Sequence, residues 1–74
     1  MKEGSRMEIP KIRVIGTKEA CRILGEHGMS TTPNKIGLGL QQGVYPFGVA
    51  IKMTEWSYEI YENLLMKWIK ERES

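Results

Sequence analysis

The chain has one cysteine and one histidine in 74 residues. A lone cysteine excludes an intrachain disulfide. With a single histidine it also excludes zinc sites built from four cysteines or from cysteine and histidine pairs, so no metal is expected. No apolar run approaches the roughly 18 residues of a membrane span, and no signal-peptide core is present. The chain therefore reads as soluble and cytoplasmic, with no membrane partner. Nothing repeats, and no segment is low in complexity. The equipment of catalysis is missing as well. There are no paired carboxylates for acid–base work, no histidine beside a nucleophile and no phosphate-cradling glycine loop. Neither an enzyme nor a cofactor is expected.

Net charge is also small, +2, but it is unevenly placed. Residues 1–54 carry eight basic side chains against four acidic ones, and residues 55–74 carry three against five. The positive field thus lies over the first two thirds of the chain. Seventy-four residues make one small domain, near the lower limit for a core without staples. Residues 1–10 mix charge, glycine and serine without periodicity and read as a flexible N-terminal arm. Residues 11–74 hold the domain.

The stretch Thr31–Ala50 organises that domain. Thr31 or Thr32 can cap a helix, Pro33 suits its first position, and Gly43 can end it with positive φ. About ten residues give some 15 Å of helix, an element of the size the DNA major groove admits. Turning each residue by roughly 100° gathers Ile36 and Leu40, with Gly39 and Gly43 beside them, on a narrow apolar face. Asn34, Leu38 and Gln41 point away, with Lys35, Gly37 and Gln42 at the margins. Two interior glycines, Gly37 and Gly39, each cost about 1 kcal/mol relative to alanine. Their presence implies a close backbone approach.

The elements around it follow from pattern. Lys11–Ile15 alternates and is β-branched, a short strand or extended lead-in. Thr17 is placed to cap a first helix near 18–26, with Ala20, Ile23 and Leu24 on one face, an inert Cys21 beside them, and Gly25 and Gly28 closing it. His27 falls in the turn, as a surface residue or a polar cap. Two short helices joined through a glycine-containing turn form a helix-turn-helix. The second spans about 32–42. Tyr45 and Phe47 read as core aromatics pinning a Pro46–Gly48 corner. Val49–Met53 and Trp56–Ile60 read as the strands of a hairpin near 48–60. One long helix from Thr54 is the competing reading, but Trp56-x-Tyr58-x-Ile60 alternates strictly and favours strand. A last helix near 61–72 carries Tyr61, Leu64, Leu65, Trp68 and Ile69 as an apolar stripe, with basic residues toward its end. The fold class is therefore α+β, a small winged helix-turn-helix: two short helices, a β-hairpin wing and a C-terminal helix. Its expected core is Ala20, Ile23, Leu24, Ile36, Leu40, Phe47, Ile51, Leu64, Leu65, Trp68 and Ile69.

The ordered set Thr17–Gly25 (TKEACRILG), Gly39-Leu40-Gln41-Gln42-Gly43, Pro46-Phe47-Gly48-Val49-Ala50, Tyr58-Glu59-Ile60 and Trp68-Ile69 resembles the small winged-helix excisionase-like proteins of phages and integrative elements. It spans about residues 12–70 and is most similar to the versions of Gram-positive bacteria. The mercury-resistance-type regulators share the layout more distantly. The chain departs from the family at Gly37, where members carry arginine or another bulky polar residue. The first turn of its second helix is also poorer in basic residues.

The resemblance implies a DNA-architectural factor that binds and bends attachment-site DNA and helps an integrase or recombinase excise an element. Its partners would be double-stranded DNA and that integrase, bound by monomers able to assemble cooperatively. The second helix would enter the major groove, with the wing on the backbone or minor groove. Asn34 and Gln41 can then contact adenine and Leu38 a thymine methyl, with Gly37 allowing close approach and Gln42 at the margin. Lys35, Lys52, Lys18 and Arg22 become phosphate partners. Two other classes stay open. One is a small phage-type transcriptional regulator on the same scaffold; the other is a protein-interaction module that has lost DNA binding.

Overall fold

Helix starts and stops written into the sequence set the frame. In a computed structural model that describes residues 11–73, the order is β1 (Val14–Ile15), α1 (Thr17–Glu26), α2 (Pro33–Gln41), β2 (Gly48–Lys52), β3 (Trp56–Tyr61) and α3 (Glu62–Arg72). The expected N-terminal arm, residues 1–10, lies outside the described residues. Thr32 caps α2, its hydroxyl oxygen accepting from the Lys35 N–H at 3.1 Å, and Pro33 follows at the first position. Gly43 has φ 72°, the left-handed value a residue past a helix end requires. α1 departs from expectation here. Gly16, not Thr17, is its N-cap, and no side chain bonds there; the Gly16 carbonyl accepts from the Ala20 N–H at 3.0 Å.

The strands form one antiparallel sheet in the order β1-β3-β2. Val14 pairs with Tyr61 and Ile15 with Ile60, while Gly48–Lys52 pairs with Ile60–Trp56 in reverse. The hairpin reading of Thr54–Ile60 holds, and the long-helix alternative is excluded. Helices α1 and α2 with the β2–β3 wing and the C-terminal α3 make a small α+β domain in the winged helix-turn-helix arrangement. No helix among the described residues is long and apolar enough to cross a membrane.

The core is Ala20, Ile23, Leu24, Ile36, Leu40, Phe47, Ile60, Leu65 and Ile69. Tyr45 stacks on Phe47 at 5.0 Å between ring centroids, and Trp68 meets both rings edge-on. Three expected core positions are corrected. Ile51 is 41% exposed and Leu64 39% exposed, and Trp68 is half-buried at the margin. Ile51 fails because cross-strand partners share a face. Pairing Gly48 with the buried Ile60 turns Gly48 and Ala50 inward, and Val49 and Ile51 outward. Leu64 fails because the stripe on α3 is wider than the surface it covers, and the buried line runs through Leu65 and Ile69. Ile60 takes the core place that the sequence pattern assigns to Ile51.

Candidate nucleic-acid interface

α2 presents an outer stripe without an acidic residue. Asn34, Lys35, Leu38 and Gln42 are exposed along it. Leu38 is 45% exposed, a large apolar side chain with water on it. Lys35 stands in the first turn beside the cap. These four are the predicted site residues that the fold brings together on the helix.

Two predicted site residues on α2 occupy different surroundings from those expected. Gly37 is buried, and a Cβ built on it would stand 2.9 Å from Tyr58 Cζ. Gln41 is half-buried and donates from Nε2 to the Tyr58 hydroxyl at 2.6 Å. Gly37 is therefore small because the Tyr58 ring lies on it, and the close approach inferred from sequence is internal. Gly39 has the same explanation: a Cβ there would fall 2.5 Å from Tyr45 Cε2. Gly37 and Gln41 are neighbours on the helix at i and i+4, so one tyrosine from β3 covers that flank and couples the wing to α2.

The wing carries the next contribution. Along the inner face of β3, burial falls from Ile60 through the half-buried Tyr58 to Trp56, which is 40% exposed. Lys52 pairs with Trp56 across the hairpin, and its Nζ sits 5.2 Å from the centre of the indole ring. The pair joins a cation to an N–H donor and an exposed aromatic edge near the turn of the wing. Sequence reasoning missed Trp56 and Tyr58 as parts of the site. The alternation that identifies the strand also puts both on the face of Ile60, and that is the available signal.

α1 contributes less than expected. Lys18 is exposed in its first turn. Arg22, by contrast, is held by Glu19 at 2.5 Å and by Glu26. That hydrogen bond from Arg22 holds the Glu19 carboxyl below its usual range. An arginine so engaged has little charge left for a phosphate, which separates Arg22 from the other basic positions. His27 caps the end of α1, and its Nδ1 lies 2.5 Å from Glu73 past the end of α3. Cys21 is half-buried and donates to the Thr31 carbonyl at 3.3 Å, a packing role for the thiol. Among the described residues no group of three His, Cys, Asp or Glu side chains is placed to hold a metal.

No protein-family model, curated protein or solved structure matches this chain. The site is therefore read from its own geometry. An exposed helix face of amide, ammonium and leucine side chains, with a lysine–tryptophan pair on the wing that Tyr58 ties to the helix, offers groups that can bond phosphates and base edges.

Proposed function

We propose that this domain binds double-stranded DNA, with α2 in the major groove and the β2–β3 wing against the adjacent backbone or minor groove. The observation that carries the reading is the acid-free outer face of α2, on which Leu38 stands exposed between Asn34 and Gln42, together with the Lys52–Trp56 pair on the wing that Tyr58 ties to α2. An exposed leucine among amides is a contact suited to thymine methyls. Lys35, Lys52 and Lys18 neutralise phosphates and set the register, while Asn34, Leu38 and Gln42 meet base edges. Gln41 acts from its tether: with Nε2 bonded to Tyr58, its carbonyl oxygen is the atom free to accept from a base.

The ordered motifs from Thr17 to Ile69 extend the proposal to an excisionase-like role. On this reading the domain bends attachment-site DNA and helps an integrase release a phage or mobile element. The chemistry of an added architectural protein suits this, since binding and bending need no catalytic group. Selection of bound sequences from randomised duplexes, followed by location of the recovered site, tests the proposal. Recovery of a site flanking an integrated element supports excision, and a promoter site alone supports transcriptional control. No enrichment at all removes sequence-specific binding.

A further inference from the structure

The outer face of the wing leaves apolar side chains exposed. Val14, Val49, Ile51 and Met53 are exposed on the outer face of the sheet, while the inner face of β2 is built from Gly48 and Ala50. β2 is also an edge strand, since the order is β1-β3-β2. The Phe47 carbonyl accepts from the Tyr61 N–H at 2.9 Å, and the Met53 N–H donates to the Glu55 carbonyl at 3.0 Å. In an antiparallel ladder these two bonds fix the parity of the strand. Val49 and Ile51 turn their N–H and C=O groups toward β3, and Gly48, Ala50 and Lys52 turn theirs to the free edge. Among the described residues none bonds those outward groups.

Soluble proteins blunt such edges with charge, proline or a bulge. β2 carries no proline and no bulge, and its only charge is Lys52 at one end. We infer that the occupant of this edge is a second copy of the same strand, paired antiparallel about Ala50 on a two-fold axis. In that register Ala50 faces Ala50 of the second copy, and Gly48 faces Lys52, through about six backbone hydrogen bonds. Val49 lies opposite Ile51 on the outer face, which makes two apolar cross-strand pairs. No like charges meet. Stacking two outer faces would bury the Glu59 carboxylate, which shares that face and accepts there only from the Tyr61 hydroxyl at 3.0 Å. Charge therefore selects the edge over the face. An interface of one strand each lies below about 1,200 Å², the range of weak, reversible association.

The two-fold axis stands perpendicular to the joined sheet, so both copies of α2 lie on the same side of it. Where the DNA reading holds, the pair addresses two half-sites in inverted orientation. The pairing itself does not depend on that reading, and it is tested without DNA.

Sedimentation of the whole chain between about 10 μM and 1 mM reads the association. Val49→Lys with Ile51→Lys sets like charges opposite each other across the two-fold and weakens dimerisation at least about tenfold. Val49→Lys with Ile51→Glu sets opposite charges there and keeps it within about threefold of the parent chain. Both positions are exposed, and unchanged circular dichroism shows that each variant folds. Methylating the Ala50 amide nitrogen by chemical synthesis removes one outward donor and leaves the β3 ladder intact, so it also weakens the dimer. A chain monomeric at about 1 mM overturns the inference, and so do two double variants that dissociate alike.

Discussion

Gly39→Ala and Gly25→Ala are the same chemical change in two helices, and the structure separates their effects. Alanine is favoured over glycine inside a helix by up to about 1 kcal/mol. At Gly25, near the end of α1, a Cβ meets nothing within 4 Å, so most of that gain is realised. At Gly39 the same Cβ runs into the edge of the Tyr45 ring, 2.5 Å from Cε2. The Tyr45 ring cannot slide away freely, because it is stacked on Phe47 and meets Trp68 edge-on at 5.8 Å. Overpacking of this kind costs about 1–3 kcal/mol. The helix gain offsets part of that, leaving Gly39→Ala neutral to about 2 kcal/mol less stable than the parent. The two variants therefore differ by about 1–3 kcal/mol, and at 4–8 °C per kcal/mol in a domain of this size the gap in Tm is easily read. Urea unfolding followed by Trp fluorescence gives the same comparison isothermally. A Gly39→Ala variant as stable as Gly25→Ala would refute the account of why α2 contains glycine.

Leu65→Ala, at a fully buried side chain, should cost about 2–5 kcal/mol, whereas Leu64→Ala at the exposed neighbour should cost under about 1 kcal/mol; equilibrium denaturation separates them. Tyr58→Phe should remove the partner of Gln41 and cost about 0.5–1.5 kcal/mol, with its DNA effect confined to the base pair that Gln41 meets, read by competition between site variants. The Arg22 bond depresses the folded Glu19 pKa below its ordinary value, so its stabilisation is present above the unfolded value and lost as pH falls through the folded one. Arg22→Ala should therefore flatten this part of the acid-unfolding profile, and an unchanged profile would remove the pair from consideration.

Much of this fold could be read from local signals. Pro33 and Gly43 mark α2, and the Trp56-x-Tyr58-x-Ile60 alternation decides between strand and helix after Thr54. Register was harder. Val49, Ile51 and Met53 form an apolar alternation that looks like a core face, and only pairing with β3 shows that they face out. The outer stripe of α2 was legible from helical phase at Asn34 and Leu38. Its flank was not, because Gly37 and Gln41 are covered by Tyr58, a residue from another element seventeen or more positions along the chain. Arg22 shows the same limit at short range: its charge is plain in the sequence, and its capture by Glu19 and Glu26 depends on rotamers.

On the proposed reading α2 and the wing form one DNA-binding surface. Titrating the isotopically labelled chain with a short duplex at about 50 mM salt, and following backbone amide shifts, tests it directly. Shifts should concentrate at Asn34–Leu38 and Lys52–Trp56 and fade together as salt is raised. Absence of binding at low salt, or shifts confined to Val14, Val49 and Ile51 on the outer sheet face, would contradict it.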